Sequence, residues 1–163
     1  MAKPETTFLE QVNEQQGILH KVCRIYRDTD QDREDLFQDM LYQLWKSWPS
    51  FQGRSKLSTW IYRIALSTAV ARYRKRSLPI ETGVNALAVL EQVAAKPAPQ
   101  PSESLIRLRA AIQLLTPIEK AVITLYLDEH SYREMSEILG ITENCIGVKI
   151  NRIKTKLKKL LIP

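Results

Sequence analysis

The residues best equipped for chemistry lie in the last stretch of the chain, and that chemistry is recognition by hydrogen bonding. Asn144, Val148, Asn151, Arg152, Thr155 and Lys159 fall on one side of a helix with 3.6 residues per turn. Ile146, Ile150, Ile153, Leu157 and Leu160 step by 4, 3, 4 and 3 along the other side. Asn pairs in bidentate fashion with adenine and Arg with guanine, while an apolar side chain such as Val148 suits a thymine methyl. Lys149, Lys154, Lys156 and Lys158 flank this face and suit phosphates, which position a helix without reading sequence. A helix that merely packs on a neighbour would share the periodicity. The spacing also matches a coiled-coil seam, but for barely two heptads.

Bond-breaking chemistry finds little support. The only histidines are His20 and His130, and the only cysteines Cys23 and Cys145, with no CxxC pair. That excludes a plausible zinc site and points to buried thiols in a reducing compartment. No phosphate-cradling glycine motif is present, so neither catalysis nor a cofactor is expected. The N-terminus has no basic stretch followed by an apolar run, and no apolar stretch reaches the roughly 18 residues of a membrane span. A cytoplasmic protein without membrane insertion is expected.

The formal net charge of +6 in 163 residues suggests an anionic partner. It is distributed as +4 over residues 1–76, −2 over 77–103 and +4 over 104–163. Pro79, Pro97, Pro99 and Pro101 lie in the middle segment, and KPAPQPS (96–102) reads as a semi-rigid spacer. The spacing of Leu87, Leu90 and Val93 predicts a short helix over 84–95. With 5 glycines and few alternating runs, the fold expected is all-α: two small helical domains, 1–76 and 104–163, joined by a Pro-rich linker at 77–103.

The first domain carries helical patterns over about 7–27, 33–48 and 58–75. Asp32 is the expected N-cap of the second and Pro49 its stop. Leu36, Phe37, Met40, Leu41, Leu44 and Trp48 form its apolar side. Trp60, Ile61, Ile64, Ala65, Thr68 and Ala71 are the expected buried stripe of the third. Phe51–Lys56 (FQGRSK) is a polar loop between them. In the second domain a helix is expected over about 103–115. Thr116-Pro117-Ile118-Glu119 reads as a capping box with proline at the first helical position, and Ser131–Glu134 as a second box. A short helix over 131–139, the turn Gly140-Ile141-Thr142 and a helix over 143–161 make a helix-turn-helix.

These segments resemble the extracytoplasmic-function sigma factors, two-domain members of the bacterial sigma factor family. The resemblance is carried by DREDLFQDMLYQLW (32–45), FQGRSKLSTWIYRIA (51–65), the basic YRKR (73–76), LTPIEKAVITLYL (115–127), SYREMSEILGIT (131–142) and the helix that follows. It implies three surfaces. The DxxDLxQ helix of the family grips a coiled coil of the largest polymerase subunit, which maps onto Asp35, Gln38, Asp39 and Tyr42. A loop and helix capture a flipped base of the −10 element, which maps onto Arg54, Ser55 and Lys56 and onto the stripe Arg63, Ser67, Val70 and Arg74. The final helix reads the −35 element through Asn144, Val148, Lys149, Asn151, Arg152 and Thr155.

Two positions depart from the family pattern. Ser67 stands where an Asn is frequent, and a shorter hydroxyl cannot make the same bidentate contacts. Gly147 stands where Lys or Arg is frequent. It offers no contact, costs about 1 kcal/mol of helix propensity and would allow a close backbone approach to DNA. Trp60 could serve as a stacking platform, but its place on the apolar stripe assigns it to the core.

The resemblance implies a factor that binds core RNA polymerase, directs promoter-specific initiation and melts DNA locally at the −10 element. It also implies an anti-sigma protein, often membrane-anchored, as a partner. The alternative is a polymerase-independent helix-turn-helix regulator that binds duplex operators as a dimer. That alternative leaves the DREDLFQ and TWIYRIA segments unexplained.

Overall fold

The computed structural model describes residues 4–74 and 102–162, and the chain divides into two compact units, 1–95 and 96–163. The expected linker prolines, the helix over 84–95 and the basic Lys75 and Arg76 lie outside the described residues. In the first unit the elements are α1 (Pro4–Glu14), α2 (Gln16–Tyr26), α3 (Asp30–Ser47), a 3-10 turn at Trp48–Ser50, and α4 (Leu57–Arg74). In the second they are α5 (Glu103–Gln113), α6 (Pro117–Leu127), α7 (Tyr132–Leu139) and α8 (Glu143–Leu161). The described residues contain no strand, so the fold is all-α.

The single helix expected over 7–27 is two. Gln15 departs from helical dihedrals (φ −109°, ψ 12°), and no side chain caps α2. Phe8 and Val12 of α1 and Leu19, Val22, Cys23 and Tyr26 of α2 are all buried. These positions stay in phase at 3.6 residues per turn, so periodicity does not register the break. The polar run Asn13–Gly17 between them supplies no buried side chain to hold one helix together.

Helix α3 starts at Asp30 and is capped by Thr29, whose Oγ1 accepts from the Asp32 N–H at 3.1 Å. The expected cap, Asp32, instead sits inside the first turn, where with Asp30 it places negative charge at the positive end of the helix dipole. Its apolar face buries Leu36, Phe37, Met40, Leu41 and Leu44, as its spacing requires, whereas Trp48 lies past the end of the helix in the 3-10 turn and is half-buried.

Helix α4 packs against both α2 and α3. It therefore buries a wider and differently centred face than expected: Thr59, Trp60, Ile61, Tyr62, Ala65, Leu66 and Ala69. Ile64 and Thr68 are half-buried and Ala71 is exposed. A stripe wide enough for one neighbour could not anticipate a helix wedged between two.

In the second unit α8 is the centre, packed on α5, α6 and α7. Ile146, Ile150 and Ile153 are fully buried and Leu157 nearly so. Each such side chain contributes about 1.5–3 kcal/mol of burial. Leu160, the fifth member of the expected stripe, is 48% exposed.

The Thr116 capping box is complete: Glu119 N–H donates to Thr116 Oγ1 (3.3 Å), and Thr116 N–H donates to Glu119 Oε2 (3.0 Å). At Ser131 the serine half of the box is in place (3.1 Å), while the Glu134 carboxylate lies 2.9 Å from His130 Nδ1. Gly140 ends α7 in the left-handed region (φ +70°), where a side chain would be strained. Thr142 caps α8 by accepting from Cys145 N–H at 3.1 Å.

Cys23 is buried, and desolvation pushes its thiol up to about 12. Cys145 is half-buried rather than buried.

Candidate nucleic-acid interfaces

Folding the second unit commits one face of α8 to the core and leaves the other outside. Asn144, Val148, Asn151, Arg152, Thr155 and Lys159 are all exposed, Val148 at 45%. Thr155 Oγ1 donates to the Asn151 carbonyl at 3.0 Å, so its hydroxyl proton is used within the helix while its oxygen can still accept. Lys149 is half-buried, on the flank of the face rather than at its centre.

The expected phosphate lysines divide into two kinds. Lys158 and Lys159 are exposed near the C-terminal end of α8. Lys154 and Lys156 turn back onto α6. The Lys154 ammonium lies 4.7 Å from the centre of the Tyr126 ring, and its hydrogen bond to Tyr126 raises its pKa. Lys156 Nζ donates to Glu119 Oε1 at 2.6 Å. Burial opposes ionisation of Glu119, yet the Lys156 hydrogen bond and the Thr116 N–H hold its carboxyl below the ordinary value. Glu119 thus caps α6 with one oxygen and ties down α8 with the other.

Gly147 lies in α8 with Tyr132 Cε2 at 3.6 Å from where a Cβ would stand, an ordinary contact. The space therefore tolerates a side chain, and packing does not dictate the glycine.

In the first unit the loop between α3 and α4 is gripped at both ends by aromatic rings. Phe51 at its start and Trp60 in the first turn of α4 meet at 4.9 Å, and Trp48 packs on both at 5.8 Å. Trp60 is 9% exposed, so it serves the core. Between these anchors Gly53 takes φ +71° and the backbone turns. Arg54 and Lys56 are exposed and Ser55 is half-buried.

On α4, Arg63 and Ser67 are exposed and Val70 is half-buried, a stripe facing away from the buried side. Arg74 lies in the last turn of α4; its side chain is outside the described residues. The loop and this stripe set exposed cations, Arg54, Lys56 and Arg63, beside the polar Ser55 and Ser67 and the small apolar Val70.

On α3, Asp35 and Tyr42 are exposed and Gln38 is half-buried, one face opposite the core. Asp39 differs. Its carboxylate is ion-paired with Arg72 of α4, and its side chain is only 12% exposed. Arg72 is the residue that sequence reasoning missed. It is one basic residue among several near the end of α4, and no spacing rule singles it out.

Among the described residues no group of His, Cys, Asp and Glu could hold a metal ion, and no helix is long and apolar enough to cross a membrane.

Comparison with known proteins places both units. Residues 12–78 match the model of Sigma-70 region 2, and residues 105–157 match that of Sigma-70, region 4. The ECF RNA polymerase sigma factor SigW of Bacillus subtilis is 25% identical over 96% of this chain and 90% of its own length. SigG of Mycobacterium tuberculosis is 30% identical over 78% of this chain but only 41% of its own length.

Among solved structures, the sigma factor RpoE in complex with the anti-sigma factor NepR from Bartonella quintana superposes with a TM-score of 0.65. It has 25% identity and covers 88% of this chain and 89% of that one. CnrH, in complex with the cytosolic domain of CnrY, has the same fold with a TM-score of 0.68 at 22% identity, covering 96% and 88%. Two family regions in the right order, with similarity to SigW along nearly the whole chain, show that the chain belongs to the sigma-70 family, as an RNA polymerase sigma factor of the extracytoplasmic-function group.

Proposed function

We propose that this chain binds core RNA polymerase through α3, using Asp35, Gln38 and Tyr42, and contacts two promoter elements at once. The exposed face of α8 reads the duplex −35 element. Asn144, Asn151 and Arg152 address base edges, Val148 a methyl group, and Lys149, Lys158 and Lys159 the phosphates. Arg54, Ser55 and Lys56 of the loop, with Arg63, Ser67, Val70 and Arg74, take the −10 element as an unpaired strand and nucleate melting. The ring-braced loop supports this reading, because a flipped base needs a pre-shaped pocket. No catalytic step is involved, and the site of action is the cytoplasm.

The observation that carries the proposal is the pairing of two family regions with two exposed polar faces, each opposite a packed core. The match over residues 12–78 covers the segments that a dimeric, polymerase-independent regulator leaves unexplained, so that alternative is not favoured. By analogy with the RpoE–NepR complex, an anti-sigma protein is the expected regulator.

The test is transcription by bacterial core polymerase plus this protein on a random promoter library. Specific starts that depend on the protein and vanish with the double change Asp35→Ala and Gln38→Ala are expected. Sequence-specific duplex binding without polymerase binding, where a control sigma factor works, would overturn the proposal.

A further inference from the structure

The Asp39–Arg72 ion pair joins the helix proposed to face polymerase to the helix proposed to hold the melted strand. Both side chains are largely withdrawn from solvent, Asp39 at 12% and Arg72 at 22% exposure. Burial raises the Asp39 pKa, with Asp35 adding to the effect and Arg72 and Arg27 opposing it. Arg72 offsets that burial only in part, so the Asp39 charge depends on its partner staying in place, and removing either one leaves the other uncompensated.

The position of the pair is as informative as its burial. Asp39 is one turn beyond Asp35 on α3, at the edge of the proposed docking face. Arg72 lies nine residues beyond Arg63 on α4, about half a revolution away at 3.6 residues per turn. It is thus on the opposite side of α4 from the Arg63–Ser67–Val70 stripe. A roll of α4 that opened the ion pair would swing that stripe.

The helix needs such a tie near its end. Among the described residues its last fully buried apolar position is Ala69, a small side chain; beyond it Val70 and Tyr73 are only half-buried and Ala71 is exposed. Apolar packing therefore fades before the helix ends.

We propose that Asp39 and Arg72 form an internal tie that sets the roll of α4 on α3, making both positioning residues for the strand-holding stripe, and that Asp39 is not itself a contact of polymerase. The inference rests on the proposed function and gives Asp39, which the family resemblance maps to the docking face, a different role. Aspartate at this position does its work through α4.

The test uses the full-length protein with core polymerase and a promoter selected from the random library, and reads two quantities. The first is affinity for core, from fluorescence anisotropy of the labelled protein. The second is opening of the −10 region, from permanganate reactivity of its thymines. Asp39→Asn and Arg72→Ala should each leave core affinity within about twofold and reduce opening roughly tenfold, a change equivalent to about 1.4 kcal/mol. The exchanged pair Asp39→Arg with Arg72→Asp should recover most of the opening, and Arg72→Lys part of it. A general loss of structure would not be repaired by exchanging the charges.

The proposal is overturned if Asp39→Asn weakens core binding as Asp35→Ala does while Arg72→Ala changes neither quantity, or if the exchanged pair folds but recovers nothing. Should Asp35→Ala and Gln38→Ala bind core normally, the docking assignment fails by itself. The tie is then judged by the double-mutant cycle on thermal stability, where a coupling between Asp39 and Arg72 supports it and additivity refutes it.

Discussion

A lysine on a DNA-reading helix can be spent on phosphate or on the protein's own fold, and the two uses have different signatures. Lys156 is held by Glu119 at 2.6 Å, whereas Lys159 is exposed. Each phosphate contact adds about 0.9 to the slope of log affinity against log salt. Lys159→Ala is therefore expected to lower that slope by about one contact, and Lys156→Ala to leave it unchanged while lowering the melting temperature of the second unit. Salt titrations of holoenzyme binding to a −35 duplex, beside thermal melts, check both. Arg152→Ala should cost about 1–3 kcal/mol at one base position, read by competition among single-base promoter variants, if it reads a base edge. A uniform loss across variants would make it a phosphate contact.

His20 gives the first unit a pH dependence. Burial, and then the charge of Arg24, lower its pKa from 6.5, and its ring stacks on Phe37 at 4.8 Å. The folded protein therefore takes up the proton less readily than the unfolded chain. Stability from this site is present above the ordinary histidine value and is lost as pH falls through it toward the depressed folded value. Thermal melts at pH 7.5 and 5.5 should show the loss, and His20→Gln should reduce it.

At the scale of the element, the second unit is held by its punctuation. Thr116 starts α6, Thr142 starts α8, and Gly140 ends α7 with a left-handed residue. Thr116→Ala removes the cap from a complete box and should cost about 1 kcal/mol by denaturant melts. Gly140→Ala places a Cβ at φ +70° and should cost about 1–2 kcal/mol. Gly147→Ala should do the reverse. It meets only an ordinary contact with Tyr132 and restores up to about 1 kcal/mol of helix propensity. If that gain in stability comes with a loss of −35 affinity, the glycine is there for close approach to DNA.

The elements of the first unit were less legible for a physical reason. The apolar stripe of α1 and α2 stays in phase across Gln15, so a break looks like continuity. The face of α4 is broad because it packs on α2 and α3 together, and a single periodicity cannot say how many neighbours a helix will have.

At the scale of the whole molecule, two units that each engage a promoter element as proposed would make two weak contacts into one strong one. Because they share a chain, the second contact is intramolecular, and a two-box promoter should bind the holoenzyme roughly 10² to 10⁴ times more tightly than a promoter with either box scrambled. Electrophoretic mobility shifts on the three duplexes test this. Equal affinities would mean that one unit carries all the recognition.

The sequence by itself determined the helical class, the placement of the helix-turn-helix and the outward face of α8. Those depend on local rules: capping residues, a glycine at a left-handed turn and an apolar period of 3.6. It also carried the family, because several separated segments occur in order. Only the tertiary structure decided which polar side chains are tied to another helix. Asp39 and Lys156 look like their solvent-facing neighbours in the sequence, yet each is claimed by a residue on another helix, 33 and 37 positions away respectively. Pairing across that separation is set by how helices pack, and no local pattern along one helix encodes it.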